Sequence, residues 1–269
     1  MNKKVVLVAP SPYSLYSTSM CVLLERKNID VAGIIIKKFT LKRFFSEYQR
    51  DGKRLFLKIW KKLILKESAY KENTQYNIIK YRNDNNITLS SLKTLSKKRI
   101  IECDDLNSKD VEEFLREIKP DAVIFTGGGL IRENIIKLSG SGILNCHMGI
   151  LPEYKGMDVI EWPVINKDFN NIGITVHLIY QGVDTGPILG IKKIDINESR
   201  TFKQLRQKFE PIMCDFLCDM TCEFLNEKIS PKIQDKEIGK QYFIMQHQLI
   251  KKAQKILELN YIQHAKKTG

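Results

Sequence analysis

Short apolar runs and amphipathic stretches take turns along this chain. Lys4 to Ala9 is almost wholly apolar and is closed by Pro10-Ser11-Pro12, which predicts a buried first strand and a turn. Ser17 to Lys27 carries Met20, Leu23 and Leu24 at helical spacing, and Asp30 to Ile36 reads as a second strand. Strand, helix and strand in that order predict a parallel sheet with crossover helices. After a less regular middle, Arg99 to Cys103 predicts a strand. Asn107 to Ile118 predicts a helix with Val111, Phe114, Leu115 and Ile118 as its stripe. Pro120 ends that helix and Asp121 to Phe125 is the next buried strand. The turn Thr126-Gly127-Gly128-Gly129, a short helix from Ile131 to Leu138 and a strand from Gly142 to Asn145 follow. Ile172 to Tyr180 alternates as a strand, Ile188 to Ile196 is expected to pair with it, and Thr201 to Lys228 predicts one long helix packed across the sheet. The expected organisation is a core over residues 1–200 with a helical insertion at about 40–70, then the long helix and a short extension over 201–269.

Composition changes this picture little. Hydrophobic content of 43% and charged content of 28% suit an ordinary globular core. No run reaches the ~20 apolar residues of a membrane span. The few apolar residues after Met1-Asn2-Lys3-Lys4 are too short for an export signal, so a cytoplasmic protein is expected. The net charge of +13 comes partly from Lys spread along the whole chain. It is densest from Lys37 to Lys66, where eleven basic residues face only Glu47 and Asp51. There Leu41, Phe44, Phe45 and Tyr48, and then Phe56, Ile59, Trp60 and Leu63, predict two amphipathic helices. They are expected to pack on the core with a solvated basic face, a membrane-surface role being the sharper alternative and weak, salt-sensitive nucleic-acid binding the remaining one. Among the six cysteines, Cys214, Cys218 and Cys222 share one helix face. No neighbouring His or fourth Cys completes a tetrahedral metal set, so they are read as core packing and no metal is expected.

The glycines at 127–129 lack the Gly-x-Gly-x-x-Gly spacing of a dinucleotide site, and no Walker-type Gly-Lys-Ser/Thr follows a strand. Hydride transfer and nucleotide hydrolysis both lose support. The informative stretch is Asn145-Cys146-His147-Met148-Gly149-Ile150-Leu151-Pro152-Glu153-Tyr154-Lys155-Gly156. Asn145 and His147 stand at the carboxyl end of a predicted strand, where α/β sheets form their ligand crevices. At positions i and i+2 of an extended chain they address one point in space. Further on, Gly173-Ile174-Thr175-Val176-His177 leads to Gly182-Val183-Asp184-Thr185-Gly186-Pro187, a glycine-bracketed turn presenting one carboxylate. Taken singly, each of these residues is more often structural than functional.

Asn-x-His, Leu-Pro-x-Tyr-x-Gly, Gly-x-Thr-x-His and Asp-x-Gly, in that order, resemble the 10-formyltetrahydrofolate-dependent formyltransferases. That family includes the glycinamide ribonucleotide, methionyl-tRNA and nucleotide-sugar enzymes, and the resemblance is clearest from Asp121 to Leu189. It implies a Rossmann-like, mainly parallel α/β sheet and 10-formyltetrahydrofolate as formyl donor. It also implies Asn145, His147 and Asp184 as the catalytic trio. An Asn amide and an imidazolium suit the oxyanion that forms when an amine attacks a formyl carbonyl, and a carboxylate suits proton movement. Gly128, Gly129, Leu130, Ile131 and Gly182 are expected at the folate. Ser11, Tyr13, Tyr154, Lys155, Gly156 and His177 are expected on the acceptor side. Met148-Gly149-Ile150 departs from the Pro-Ser or Gly-Ser and Leu-Leu-Pro of many members. The loop Ser11-Pro12-Tyr13-Ser14 lacks the glycine-rich form of the purine enzyme.

The stretch from Asp235 onward is too short for the barrel with which methionyl-tRNA enzymes hold tRNA, so nucleic acid ranks low. The insertion argues against the purine enzyme. The expected acceptor is a nucleotide-linked amino dideoxy sugar for surface polysaccharide, with Glu161-Trp162 a weak marker of that subgroup. A homodimer is compatible with this reading. A non-catalytic binding module is the alternative of a different class.

Overall fold

A sheet of seven strands in the order β3-β2-β1-β4-β5-β7-β8 runs through the molecule. The computed structural model describes residues 3–38, 76–235 and 237–268; the expected helices at 40–70 lie outside these. The first half is β1 (Lys4–Ala9), α1 (Leu15–Arg26), β2 (Asp30–Lys37), α2 (Tyr76–Asp84), β3 (Arg99–Cys103), α3 (Lys109–Ile118), β4 (Ala122–Phe125) and α4 (Glu133–Ile136). The second half is β5 (Ile143–His147), β6 (Tyr154–Gly156), α5 (Glu161–Ile165), β7 (Gly173–Leu178), β8 (Ile188–Lys193), α6 (Phe202–Leu225), β9 (Lys240–Tyr242) and α7 (His247–Thr268). Strands β3, β2, β1, β4 and β5 are parallel, while β7 and β8 are antiparallel additions. The mainly parallel α/β sheet expected from the sequence is present. Separately, β6 and β9 form a parallel pair.

Period-two alternation sorts the strand residues onto two cores. Val5, Leu7 and Ala9 face one core with Leu144, Cys146 and the α6 residues Leu205, Phe209, Met213 and Leu217. Val6, Val8, Val123 and Ile143 face the other, closed by the predicted α3 stripe of Val111, Phe114, Leu115 and Ile118. Covering on both faces is why these strands read as unbroken apolar runs. Cys214 and Cys218 are buried in the first core and Cys222 is half-buried at its edge. No helix among the described residues is long and apolar enough to cross a membrane.

Three boundaries moved for identifiable reasons. Helix α1 starts at Leu15, because the Ser14 hydroxyl accepts the Ser17 N–H and caps it there. Helix α3 starts at Lys109, because the Asn107 amide instead bonds Arg132 N–H at 2.6 Å and the Leu130 carbonyl at 3.0 Å. Strand β5 runs two residues past the expected Asn145, because Cys146 and His147 pair with Val176 and Thr175 of β7. The short elements β6, α5 and β9, together with α2, carry too little periodicity to have been foreseen.

The strand order reverses between β1 and β4, and the crevice of an open α/β sheet lies at the carboxyl ends of such strands. There the Thr126 hydroxyl bonds the Val8 carbonyl and the Ser17 hydroxyl, each at 2.7 Å, tying β4 to β1 and α1. The glycine turn leaves the end of β4, and Asn145 and His147 close the neighbouring strand β5 at the same edge.

Candidate functional site

Asn145 and His147 are brought to the sheet's carboxyl edge on one face of β5, and the turn after β7 swings Asp184 over them. His147 is 8% exposed. Its Nε2 lies 2.9 Å from the Tyr154 carbonyl and therefore carries a hydrogen, and its Nδ1 lies 3.5 Å from Asp184 Oδ2. The ring is fixed between loop and turn. Gly149 permits this, because a Cβ there would stand 2.8 Å from both His147 Nε2 and the Tyr154 oxygen. The loop is pinned from β7 by buried Thr175, whose hydroxyl donates to the Gly149 carbonyl at 2.7 Å and accepts the Leu151 N–H at 3.1 Å. This is the physical role of the threonine in Gly-x-Thr-x-His.

His177 orients Asn145. Its Nδ1 lies 2.9 Å from the Leu178 carbonyl and its Nε2 lies 3.1 Å from the Asn145 Nδ2. The Asp184 Oδ1 is 3.6 Å from the same Nε2. The other carboxylate oxygen accepts the Gly156 N–H at 2.8 Å.

The electrostatics follow from burial and these neighbours. Burial pushes His147 below its ordinary value of 6.5, and the nearby Asp184 charge only partly offsets it. The resting ring is therefore neutral at pH 7, not the imidazolium the sequence reading assigned to the oxyanion. For Asp184, burial acts to raise the pKa. The imidazoles of His177 and His147 and the Gly156 N–H outweigh it and hold the group below 3.8, so it is ionised.

Two cavities meet at Asn145. One, of about 500 Å³, is lined by Leu130, Ile131, Ile179, Gly182, Val183 and Asp184. The other, of about 510 Å³, is lined by Ser14, Tyr16, His147, Asp158, Glu210 and Met213. Among the described residues the second holds one cation, Arg206, which is bound at 2.6 and 2.7 Å by both oxygens of buried Glu161. The Tyr16 hydroxyl is buried there with no hydrogen-bond partner among the described residues, and burial raises the carboxyl of Glu210.

The other expected site residues divide. Gly129, Leu130, Ile131, Gly182 and His177 line the first cavity, and Gly156 lines the second. Gly128 lies between Leu106 and Lys37 and lines neither. Tyr154 lines neither: its hydroxyl bonds Asp168 at 2.9 Å and its ring stacks on Tyr242. Lys155 is buried with its Nζ 3.2 Å from the Ile238 carbonyl. Tyr13 is 70% exposed, and its N–H bonds the Ser11 hydroxyl at 3.2 Å; neither lines a cavity. Sequence reasoning missed Tyr16, Asp158 and Glu210. Arg206 and Glu210 stand at i and i+4 of α6, a spacing that reads as an ordinary surface ion pair, so nothing local marked them.

Residues 69–218, more than half of the chain, match the family described as Formyl transferase. The chain belongs to that family, whose formyl donor is 10-formyltetrahydrofolate. The methionyl-tRNA formyltransferase of Finegoldia magna is 30% identical over 114 residues, 42% of this chain and 36% of that protein. That of Solibacter usitatus is 33% identical over 106 residues, 39% of this chain and 34% of that protein. The matches thus span little more than a third of the curated relatives' length. Two solved structures share the fold at low identity. The phosphoribosylglycinamide formyltransferase from Bacillus halodurans has a TM-score of 0.54 at 17% identity, with 84% of this chain and 97% of that one covered. A sugar N-formyltransferase from Shewanella sp. has 0.55 at 15%, with 96% and 87% covered.

Proposed function

We propose that the protein transfers a formyl group from 10-formyltetrahydrofolate to a primary amine, with Asn145, His147 and Asp184 as catalytic residues. The observation that carries this reading is their convergence where two cavities meet, one for each substrate. The cavity of Leu130, Ile131 and Val183 suits the faces of a pterin, and its loop backbone at Gly129 and Gly182 suits the polar edge. From the other cavity the amine nitrogen attacks the formyl carbon, and the carbonyl π pair moves onto oxygen. The Asn145 amide faces that oxygen. The amine's proton passes to the neutral Nδ1 of His147, whose new charge Asp184 stabilises at 3.5 Å. As the bond from carbon to N10 breaks, the same proton goes to the leaving nitrogen. A formamide and tetrahydrofolate result, with no net proton change.

The acceptor in this proposal is a nucleotide-linked amino dideoxy sugar of surface-polysaccharide synthesis. Its support is the second cavity, which offers Glu210, Asp158 and the Tyr16 hydroxyl to an amine and sugar hydroxyls. Among the described residues its one cation, Arg206, is already committed to Glu161. The names of the curated relatives favour methionyl-tRNA as the second reading. The test is formyl transfer from 10-formyltetrahydrofolate to a panel of nucleotide-linked 3-amino and 4-amino dideoxy sugars, beside methionyl-tRNA and glycinamide ribonucleotide. Transfer to one sugar is expected, with kcat reduced about 10²–10³-fold in Asn145→Ala, the size seen for loss of one oxyanion donor. Transfer to methionyl-tRNA alone overturns the sugar assignment and keeps the chemistry.

A further inference from the structure

The Asp184 turn is built from backbone that ordinary residues resist. Asp184 itself stands at φ +53°, and a Cβ on Gly186 would fall 1.8 Å from the Leu178 carbonyl oxygen. Within the turn, Thr185 Oγ1 bonds the Gln181 carbonyl at 2.8 Å and Leu178 N–H bonds the Pro187 carbonyl at 2.9 Å. The carbonyls of Asp184 and Gly186 find their partner elsewhere in the chain. Both accept from the side-chain amide of Gln234, at 2.9 and 2.6 Å.

Gln234 is 8% exposed. Both its neighbours are carbonyl oxygens, so both amide hydrogens are committed to them and the orientation of the amide is fixed. The consequence is a buried Oε1 with no hydrogen-bond partner among the described residues, an arrangement that a residue serving only to fill space would not need. The segment carrying it is anchored on both sides. Lys232 exchanges two 2.8 Å backbone bonds with Ile188 at the start of β8. Beyond Gln234, β9 pairs with β6, and Tyr242 accepts the Met157 N–H at 3.0 Å. One stretch of chain therefore braces the Asp184 turn and the loop that holds His147. It lies wholly beyond the residues matched to the formyl transferase family, 69–218.

We propose that Gln234 is a positioning residue, whose amide fixes the Asp184 turn and so sets the distance from the Asp184 carboxylate to His147 Nδ1. The inference rests on the formyl-transfer reading for its kinetic consequence but not for its geometric one. The titratable groups facing Asp184 are His147, from β5, and His177, from β7. The loop of β6 contributes only the Gly156 N–H.

Gln234→Met keeps chain length and volume and removes both donors. Gln234→Glu keeps the shape and supplies a single donor only when protonated. The experiment titrates the His147 ring by NMR in wild type, Gln234→Met and Gln234→Glu, with formyl transfer measured beside it and folding checked by thermal melting. In Gln234→Met the His147 pKa falls further below the wild-type one, because a displaced Asp184 no longer supports the imidazolium. A carboxylate at that distance typically moves a neighbour by about one unit or more. The kcat falls roughly tenfold or more while the acceptor KM changes less than about threefold, since the turn acts on proton transfer rather than on binding. In Gln234→Glu the loss deepens as pH rises and the new side chain ionises against two carbonyls. Should Gln234→Met fail to fold, this pH-dependent loss carries the test alone. A folded Gln234→Met with an unmoved His147 titration overturns the proposal, as does a Gln234→Glu whose loss is the same at every pH. Absence of transfer in wild type, with the His147 shift still seen in Gln234→Met, overturns the formyl-transfer reading and leaves the positioning role standing.

Discussion

At the scale of single residues, the site depends on who holds whom. Asn145 and His147 were legible as a pair because i and i+2 on a strand share a face. Their partners were not, because an antiparallel register set Asn145 opposite His177, and no local pattern announces register. That pairing makes a prediction. His177→Ala frees the Asn145 amide to rotate, so kcat is expected to fall about tenfold, less than in Asn145→Ala, with the donor KM little changed; steady-state kinetics on both variants check it. The pH profile is a second prediction. Burial holds His147 below 6.5, while the neighbouring histidine rings and the Gly156 N–H hold Asp184 below 3.8 against its own burial, so the active pair is a neutral imidazole beside a carboxylate. Above about pH 6.5 that pair is fully formed and kcat/KM should be level. As pH falls through the depressed His147 value, Nδ1 becomes protonated and can no longer take the amine's proton, so the rate falls. A limb centred above 6.5 would contradict the assignment.

The parallel strands and the stripes of α3 and α6 were readable at the scale of elements, because core faces impose periods of two and 3.6. Elements of three to five residues were not: β6, β9 and α5 owe their shape to partners far along the chain. The clearest case joins α5 to α6. Glu161 is buried and its carboxyl is raised by that burial, with the Arg206 guanidinium pulling the other way. Arg206→Met removes the pull and leaves a buried carboxylate unpaired, a change that costs about 3–5 kcal/mol where such a pair is fully buried. Arg206 is 43% exposed along its side chain, so a loss of roughly 1–3 kcal/mol is expected. The sign with pH is set by a folded-state pKa above 4.5. The contribution of protonated Glu161 is complete below the unfolded value and is lost as pH rises through the folded one, where the Arg206 charge begins to offset that loss, so wild type and variant should melt alike near pH 4 and diverge toward pH 7. Thermal melts across that range decide it.

For the whole molecule, the arrangement worth testing is the pair of cavities that meet at Phe125 and Asn145. Gly129, Leu130, Ile131 and Gly182, expected at the folate, all line the first, which is bounded by the loop after β4 and the turn after β7. The sequence misplaced Tyr154 and Lys155, whose side chains turn toward the chain's last third, and it had no means of finding Tyr16 or Glu210, since the second cavity is closed by helices α1 and α6 from opposite ends of the chain. If the first cavity takes the folate and the second the amine, damage to one should leave binding in the other intact. Ile131→Ala removes apolar contact from the first, about 1–2 kcal/mol by area, and should weaken binding of tetrahydrofolate roughly tenfold. Glu210→Gln replaces the buried carboxyl in the second with an amide and should raise the acceptor KM about tenfold or more. Calorimetric titration with tetrahydrofolate should find the Glu210→Gln protein unchanged. A common loss of folate binding in both variants would mean that the two cavities work as one ligand site, and the division of substrates between them would fall, even with every contact of Asn145 and His147 left as it is.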